Sequence, residues 1–340
     1  MPTAEEIFVS DVSYAKGKRV FERISKQDGR FKFTPVPEDE ATLAPLVREK
    51  KVRGFIADLH PYTGELYQAL PRGAVIARFG VGHDSIDKGL ATAAGIHVTN
   101  TPGVLNTSVK EHAMWLLGAL ARQVPALDRS MRDLDWQPAR GIEVKGKTLA
   151  ILGFGRIAQE ICSCAHHGFG MQVVGFDQFD EAAFCRMAGL ATFREFQKKI
   201  PVQRITTDLE SAVTSADFVL MMMAVTPETC GMANASLFRM MQPTAFFLNT
   251  ARGALVHEDD LFDALTAGTI AGAALDVFAE EPYRPQSPDK DLRTLENLIL
   301  TPHVASNTAE SNAAMAETAA QNVITILTQG ADACPNIVNP

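Results

Sequence analysis

The stretch "TLAILGFGRIAQEI", Thr148–Ile161, contains the most informative pattern in this chain. Its apolar start is typical of a buried strand, and Gly153, Gly155 and Ala158 form the pattern GxGxxG/A between that strand and a helix. Gly153 permits a tight turn, Gly155 lacks the Cβ that would block a pyrophosphate, and Ala158 lets the helix pack closely on the strand. The stretch therefore predicts a strand, a turn and a helix that bind a dinucleotide.

The residues beyond this turn specify the dinucleotide. Free backbone N–H groups and the positive end of the helix dipole would face the phosphates, with Arg156 adding charge and Ile157 beside it. The next strand, "MQVVGFD", ends in Asp177, near the spacing at which an acid binds the adenosine ribose; Asp180 is a less favoured candidate. Because a carboxylate there repels the 2′-phosphate of NADP, the predicted cofactor is NAD.

Strand-like runs alternate with helix-length segments on both sides of this stretch. The runs before it are "EIFVSD", "FKFTPV", "VRGFIADL", "AVIARFG" and "IHVTN"; those after it are "MQVVGFD", "FVLMMMA", "AFFLNTA", "IAGAALDVF" and "NLILTP". Strands that alternate with helices indicate parallel sheets covered on both faces. The predicted fold class is α/β, with two doubly wound parallel-sheet domains.

Two helical segments mark the domain boundaries. A pattern from Leu105 to about Arg122 bridges the two series of strands. The last helix, about Ala309 to Thr328, has no sheet of its own left to join, so we expect it to return to the first domain. The predicted domains are a substrate-binding domain of residues 1–103 and 307–340 and an NAD-binding Rossmann domain of residues 104–306.

Length, charge and cysteine content exclude several classes of protein. A chain of 340 residues is long for one core. Its 40 acidic and 32 basic residues, with no basic stripe, argue against a nucleic-acid partner. The start "MPTAEEIFVS" lacks the basic residues of a signal peptide, and the longest apolar runs are short of a membrane span, so a cytoplasmic protein is predicted. Five cysteines without CxxC pairs predict buried or partly buried thiols and no metal site.

Three stretches place polar side chains where strands end. "FFLNTARG" carries Arg252, "AALDVFAEEP" carries Asp276, Glu280 and Glu281, and "LILTPH" carries His303. Alone, each has an ordinary structural explanation: a surface ion pair, a solvated turn or a structural histidine. Ligands of open α/β sheets bind at the carboxyl ends of the strands. Three such groups downstream of a dinucleotide fingerprint therefore predict a catalytic site.

These residue types suit one chemistry. Interconversion of a secondary alcohol and a carbonyl by hydride transfer needs a group that takes or gives the hydroxyl proton, and an imidazole does both near neutral pH. A carboxylate orients the imidazole and stabilises its charged form. A guanidinium binds a carboxylate through two hydrogen bonds and polarises the adjacent carbonyl. The predicted substrate is a 2-hydroxy acid or a 2-oxo acid.

The motifs in combination resemble the D-isomer-specific 2-hydroxyacid dehydrogenases, which include glyoxylate/hydroxypyruvate reductases and D-lactate and D-3-phosphoglycerate dehydrogenases. In the family's order, the chain contains "GVGHDSID", "VTNTPG", "SVKEHA", "GKTLAILGFGRIAQ", "TPETCGM", "LNTARGALVHEDDL", "GAALDVFAEEP" and "TPH". The resemblance runs from about Arg78 to the end of the chain. It implies a Rossmann domain beside a flavodoxin-like domain.

The resemblance also assigns roles to residues. It implies that Arg252 binds substrate and that His303 is the acid/base. Glu281, which precedes proline as the family's acid does, would be the partner of His303, and Asp276 would lie near the nicotinamide amide. We expect Thr250 and Ala251, just before Arg252, to contact the cofactor as well.

The first domain contributes further expected residues. In "RFGVG" the resemblance implies that backbone N–H groups around Val81 and Gly82 hold the substrate carboxylate, with Arg78 as a further substrate-binding residue. His60 and Tyr62, in the loop "IADLHPYTGEL", are candidates for shaping the substrate pocket, but surface turn residues are the favoured interpretation.

The predicted function is an NAD-dependent D-2-hydroxyacid dehydrogenase that works as a 2-oxo acid reductase. Small acids such as glyoxylate or hydroxypyruvate are the favoured substrates. Because members of the family are commonly dimeric through the nucleotide domain, the resemblance implies a homodimer. The alternative is an NAD-sensing, corepressor-like regulatory protein with the same fold. An enzyme that oxidises formate or phosphite is a third possibility, for which no sequence feature calls.

Overall fold

The computed structural model describes residues 4–339, and the chain divides into two compact units. The first is Met1–Leu105 with Ser306–Pro340, and the second is Asn106–Ala305. The first unit is therefore discontinuous in sequence, with the whole of the second unit inserted into it.

The first unit is built on a five-stranded parallel sheet in the order β2-β1-β3-β4-β5. Its strands are β1 (Glu5–Ser10), β2 (Phe31–Val36), β3 (Gly54–Ala57), β4 (Val75–Arg78) and β5 (His97–Thr99). The helices that connect them are α1 (Asp11–Gln27), α2 (Glu40–Lys50), α3 (Glu65–Ala69) and α4 (Lys88–Ala94). This strand order is that of flavodoxin-like sheets, so the predicted fold of this unit is confirmed.

One side chain of this unit lies where the sequence did not place it. Tyr62 is 3% exposed, and its ring meets Phe55 edge-on with 5.6 Å between centroids. The expectation of a surface turn residue is wrong for Tyr62, because the aromatic ring packs under the loop that carries it. Burial also raises the pKa of its hydroxyl.

The second unit is built on a seven-stranded parallel sheet in the order β12-β11-β10-β9-β6-β7-β8. Its strands are β6 (Thr148–Leu152), β7 (Gln172–Phe176), β8 (Arg204–Thr206), β9 (Phe218–Met221), β10 (Phe246–Asn249), β11 (Gly272–Leu275) and β12 (Leu298–Leu300). Its helices are α5 (Asn106–Arg122), α6 (Val124–Arg132), α7 (Arg156–Phe169), α8 (Glu181–Met187), α9 (Phe193–Lys199), α10 (Leu209–Val213), α11 (Ala235–Met240) and α12 (Glu258–Thr266). The Rossmann fold predicted for this unit is confirmed.

The central strand β6 shows why its sequence is apolar throughout. Leu149 and Ile151 belong to the core on one face of the sheet, and Ala150 and Leu152 belong to the core on the other. Because successive side chains of a strand point to opposite faces and both faces are covered by helices, neither set is solvated. The carboxyl end of this strand, with the glycines that follow it, lies at the carboxyl end of the sheet.

A long helix near the end of the chain, α13 (Ala309–Gln329), packs in the first unit against α1, β3 and β4. Two glycines permit this packing. A Cβ on Gly54 would lie 2.5 Å from Val323, and one on Gly17 would lie 2.6 Å from the Cβ of Ala316. The sheet and α1 therefore approach α13 more closely than other residues would allow.

The structure also bears on the predictions for the cysteine side chains, for a membrane span and for a metal site. Cys162, Cys185 and Cys334 are buried and Cys164 is partly buried, but Cys230 is exposed, so the prediction is wrong for that thiol. Within residues 4–339, no helix combines the length and the apolar character needed to span a bilayer. Across the same residues, no group of three or more His, Cys, Asp or Glu side chains is arranged to hold a metal ion.

Candidate active site

The polar residues predicted from strand ends meet at one edge of the second sheet. The register aligns the last residues of neighbouring strands, pairing Leu152 with Phe176 and Met221, Asn249 with Met221 and Leu275, and Leu275 with Leu300. Gly153, Asp177, Thr250 and Asp276 each come directly after one of these ends. His303 follows the end of β12 by three residues. The parallel pairing thus places these groups side by side.

The glycine turn has the backbone that its sequence predicts. Gly153 has φ +92°, and a Cβ there would lie 2.8 Å from the backbone of Met222. A Cβ on Gly155, by contrast, would meet nothing within 4 Å, so the space in front of α7 is open. Ala158 is 1% exposed under the sheet. The turn fits a phosphate group at the helix N-terminus.

The first residues of α7 differ in their exposure. Arg156 is exposed and lines a surface cavity of about 570 Å³ together with Asn106 and Lys110. Ile157 is half-buried against the core beneath the helix. Arg156 is therefore accessible to an anion, whereas Ile157 offers its backbone and part of an apolar side chain.

The two candidate ribose-binding acids have different surroundings. Asp177 accepts a hydrogen bond from the backbone N–H of Phe154, inside the glycine turn, at 2.8 Å, and one from Phe179 N–H at 3.3 Å. Asp180 caps α8 by accepting from the N–H of Ala183 at 2.8 Å. Of these two acids, Asp177 contacts the glycine turn and Asp180 does not, so the binding of ribose by Asp177 stays the favoured prediction.

The segment that carries Arg252 is stabilised by the end of β10. The Asn249 side chain donates to the Arg252 carbonyl at 2.8 Å and accepts from the N–H of Ala251 at 3.0 Å. The Arg252 guanidinium donates to the Ala251 carbonyl at 2.7 Å, and the Thr250 hydroxyl lies 3.4 Å from the Met222 sulfur. This bracing fixes the loop from which the guanidinium projects.

His303 and Glu281 form a direct pair. Nδ1 of His303 lies 2.7 Å from Oε2 of Glu281, and their side chains are 22% and 31% exposed. His303 has φ +52°, and its backbone N–H donates to the Asp276 carbonyl at 2.7 Å. Glu280 is exposed and lies 3.4 Å from Arg284 instead. Of the two neighbouring acids, it is therefore Glu281 that can orient the imidazole.

The carboxylate of Asp276 holds the loop that carries His303. It is fully buried and accepts hydrogen bonds from the N–H groups of Val304 at 2.9 Å and Ala305 at 2.8 Å. The Thr301 hydroxyl donates to it at 2.5 Å, and Nε2 of His112 lies 3.3 Å away. The predicted place of Asp276 near the nicotinamide amide stays a prediction.

The surroundings of Asp276 have opposing effects on its protonation. Burial alone would raise the pKa of this carboxyl, but the hydrogen bonds from His112, Thr301 and the two backbone groups outweigh it and lower the pKa. Sequence reasoning missed His112 and Thr301. Both stand in quoted motifs, "SVKEHA" and "TPH", but only the fold brings them to Asp276.

Asp276→Asn is expected to lower the free energy of unfolding by about 2 kcal/mol at pH 7, because charge-assisted hydrogen bonds weaken. Since the folded-state pKa is lowered, the ionised group stabilises the protein above its unfolded pKa of about 3.9. This stability is lost as the pH falls through the lower folded pKa. The gap between wild type and variant should therefore narrow on acidification below about pH 4, measured by urea unfolding. A gap independent of pH would contradict it.

A single glycine lets the arginine loop touch the acid loop. A Cβ on Gly253 would lie 1.8 Å from the carbonyl carbon of Phe278 and 2.4 Å from the nitrogen of Ala279. These are main-chain atoms and cannot rotate away. The backbone beside Arg252 and the backbone leading to Glu281 are therefore in contact.

The first unit presents the loop predicted to hold a carboxylate. The Val81 carbonyl accepts from the Asn100 side chain at 2.8 Å, and the Gly80 carbonyl accepts from Thr101 N–H at 2.9 Å. Gly82 follows these two residues in the loop. Arg78 is 5% exposed, and its guanidinium donates to the Phe79 carbonyl. It also lies 3.9 Å from Asp58, which pairs with Lys16 at 2.9 Å. Arg78 thus supports this loop from within.

The sequence matches the profile of a known family and is similar to named members of it. The profile described as "D-isomer specific 2-hydroxyacid dehydrogenase, NAD binding domain" matches residues 114–305. The glyoxylate reductase of Korarchaeum cryptofilum is 38% identical over 285 residues, which are 82% of this chain and 80% of that protein. The glyoxylate reductase of Pyrococcus furiosus is 38% identical over 76% of this chain and 74% of its own length.

Solved structures agree over nearly the whole chain. A protein of Thermus thermophilus is 30% identical with a TM-score of 0.81, covering 98% of this chain and 99% of its own. The NADPH-dependent glyoxylate/hydroxypyruvate reductase of Sinorhizobium meliloti, in complex with NADP and malonate, is 27% identical with a TM-score of 0.78. That match covers 98% of this chain and 96% of the reductase.

Proposed function

Because the chain belongs to the D-isomer-specific 2-hydroxyacid dehydrogenase family and is an oxidoreductase, we propose that it reduces a small 2-oxo acid to the D-2-hydroxy acid with NADH. Glyoxylate and hydroxypyruvate are the favoured substrates, since the relatives compared above are named glyoxylate reductase and glyoxylate/hydroxypyruvate reductase. The observation that carries the proposal is the 2.7 Å contact between His303 and Glu281 beside the arginine loop.

The proposed roles of the second unit follow from its contacts. His303, oriented through Nδ1 by Glu281, gives a proton from its other ring nitrogen to the carbonyl oxygen of the substrate. The Glu281 carboxylate stabilises the charged imidazole before the transfer. Arg252 binds the substrate carboxylate and polarises the carbonyl. A nicotinamide cofactor, when bound, supplies the hydride.

The cofactor residues fit an NAD molecule. Gly153 and Gly155 make room for a pyrophosphate at the start of α7, where Arg156 is exposed and Ile157 offers a backbone N–H. The proposed ribose ligand is Asp177. Thr250, Ala251 and Asp276, which follow the ends of β10 and β11, are the proposed contacts of the nicotinamide half.

The first unit has its own proposed role. The N–H groups of Val81 and Gly82 bind the substrate carboxylate, in a loop braced by Asn100 and Arg78. Backbone donors in a tight glycine-containing loop form a concave site that suits an anion. Replacement of Arg78 would act through this loop, since its guanidinium is buried.

The deciding experiment is oxidation of NADH and NADPH by the purified protein with a panel of 2-oxo acids. The panel includes glyoxylate, hydroxypyruvate, pyruvate and 3-phosphohydroxypyruvate, and chiral analysis of the product tests for the D isomer. Turnover on the small acids supports the proposal. NADH binding without turnover on any of them would instead favour the NAD-sensing regulatory protein.

Asp177→Ala is expected to lower the preference for NADH over NADPH about tenfold or more, equivalent to at least about 1.4 kcal/mol. The change removes the charge that opposes a 2′-phosphate, and it also weakens the glycine turn, so both KM values rise. The ratio of kcat/KM for the two cofactors isolates the charge. Asp180→Ala, at the cap of α8, should leave the ratio unchanged, and an unaltered ratio in Asp177→Ala would refute the role of Asp177.

We also propose that the protein is a homodimer formed through its second unit. None of the nine residues of α6 is buried, although its sequence is strongly amphipathic. Large apolar side chains are also exposed on α5, on α6 and in the segment after α6: Trp115, Val124, Met131, Leu134 and Trp136. Of these, Leu134 and Trp136 are 96% and 79% exposed. Large exposed apolar side chains are typical of interfaces, and a second copy of the chain would cover them.

The double substitution Leu134→Glu and Trp136→Glu is expected to convert the dimer into a monomer, because charge cannot be buried unpaired in such an interface. Light scattering after size exclusion measures the mass, which should halve. Met187→Glu, which also places a charge at an exposed apolar position, is the control and should leave the mass unchanged. A monomeric wild type would end the proposal.

A further inference from the structure

We propose that Glu258 is a positioning residue for the acid/base pair, holding the backbone of the loop that carries Glu281. The inference rests on the proposed function, in which Glu281 orients His303. Glu258 has no role among the residues predicted from sequence. It stands in "LVHEDDL", where the run of acids reads as the solvated first turn of a helix.

Glu258 is not solvated. It is the first residue of α12 and is 2% exposed. Its Oε1 accepts a hydrogen bond from the backbone N–H of Ala279 at 2.7 Å. Its Oε2 is also buried and has no hydrogen-bond partner among residues 4–339. Burial of a carboxyl group with one oxygen unpaired costs free energy, which a structural role of the contact with Ala279 would explain.

The contact links Glu258 to the acid/base pair through one short loop. Phe278 and Ala279 present successive backbone N–H groups: the first donates to Oε1 of Glu281 at 3.0 Å, and the second donates to Glu258. Oε2 of Glu281 then meets His303. The two carboxyl groups therefore accept hydrogen bonds from adjacent peptide units. The hydrogen bond to Glu258 fixes the backbone segment that leads to Glu281.

The other side of this loop is fixed by main-chain packing. The backbone of Gly253 lies so close to that of Phe278 and Ala279 that a Cβ added to Gly253 would overlap both. The loop is thus held between Gly253 and Glu258. Gly253 follows the end of β10, and Glu258 is the first residue of α12. Loss of the Glu258 contact would free Ala279 while the Gly253 contact remains, so the expected result is a shift of the loop rather than unfolding.

Burial and the charges near Glu258 together favour the protonated form of its carboxyl group. Burial raises its pKa, the N–H of Ala279 lowers it, and the negative charges of Asp259 and Glu281 raise it again, with a net upward shift. A protonated Glu258 keeps its Oε1 as an acceptor without placing a second negative charge beside Glu281. Glutamine has nearly the same shape and can present the same acceptor to Ala279, so it preserves the contact that alanine removes.

The test compares Glu258→Ala and Glu258→Gln with the wild-type enzyme in the full chain. We expect Glu258→Ala to lower kcat for the best 2-oxo acid about 10- to 100-fold, since small displacements of catalytic groups reduce rates on this scale. The KM for NADH should stay within about twofold, and Glu258→Gln should retain at least about a third of kcat. The matched control is Glu280→Gln, an exposed acid next to Glu281.

Two further readouts separate positioning from a general loss of stability. The primary isotope effect on kcat with 4-deuterated NADH should increase in Glu258→Ala, because a displaced acid slows the chemical step, whereas a smaller folded fraction would leave it unchanged. In a Glu281→Gln background, Glu258→Ala should add less than about twofold, since residues that act through one another are not additive.

Hydrogen exchange provides a readout that does not depend on activity. Amide exchange across residues 278–281, followed by mass spectrometry, should accelerate in Glu258→Ala and stay near wild type in Glu258→Gln. An unchanged exchange rate in Glu258→Ala overturns the inference. If the wild-type enzyme is active, a full kcat in Glu258→Ala overturns it as well. Wild-type protein without turnover on any 2-oxo acid overturns the proposed function instead, and the exchange experiment still decides whether Glu258 holds the loop.

Discussion

Replacing His303 with alanine is expected to lower kcat for 2-oxo acid reduction by about a thousandfold, within the range that proton transfer by a positioned side chain contributes. The imidazole is partly accessible, and its Nδ1 is occupied by Glu281, which leaves the other nitrogen for the substrate. Alanine removes the proton donor but none of the residues of the glycine turn. The dissociation constant of NADH, measured by fluorescence titration, should stay within about twofold.

Two comparisons make this result specific. His167→Ala removes an exposed histidine in the last turn of α7 and should leave kcat unchanged within experimental error. Glu281→Gln keeps the imidazole but weakens its orientation, so its kcat should fall between wild type and His303→Ala. Full turnover in His303→Ala would remove the acid/base assignment, and an equal loss in His167→Ala would indicate a general effect of the substitutions.

Gly253→Ala is expected to be the most damaging single methyl group in the second unit. The added Cβ would lie 1.8 Å from the carbonyl carbon of Phe278, inside a contact between two main chains. Overpacking of this kind destabilises by about 3 kcal/mol or more, because no side-chain rotation relieves it. For a unit of this size, the melting temperature should fall by about 6–12 °C.

Activity should fall further than stability in Gly253→Ala. The methyl group pushes apart the loops that carry Arg252 and Glu281, so kcat measured well below the melting temperature should decrease at least about tenfold. The matched control is Gly168→Ala in α7, where a Cβ meets nothing within 4 Å. Alanine is favoured over glycine in a helix, so that variant should be unchanged or slightly more stable. Equal stability of the two variants would show that the loops tolerate separation.

Local patterns along the chain determined much of this protein. The apolar run of β6 and the glycines after it predicted the Rossmann turn, since a strand covered on both faces has no polar positions and a phosphate needs an uncovered backbone. The edge strand β8 escaped prediction, because three residues that begin with Arg204 have no alternation to detect. Tyr62 escaped as well, since a turn composition does not reveal a buried ring.

Tertiary structure alone decided how the site is held together. Hydrophobic periodicity shows where strands stop, so it placed Arg252, Glu281 and His303 after strand ends. It did not show that Asp276 binds the His303 loop, or that Glu258 turns inward from an acidic run. These contacts join residues 21 to 29 positions apart, and their existence depends on the register of parallel strands rather than on any local pattern. Side-chain type limits what a residue can bind, but only the packed backbone determines which partner it reaches.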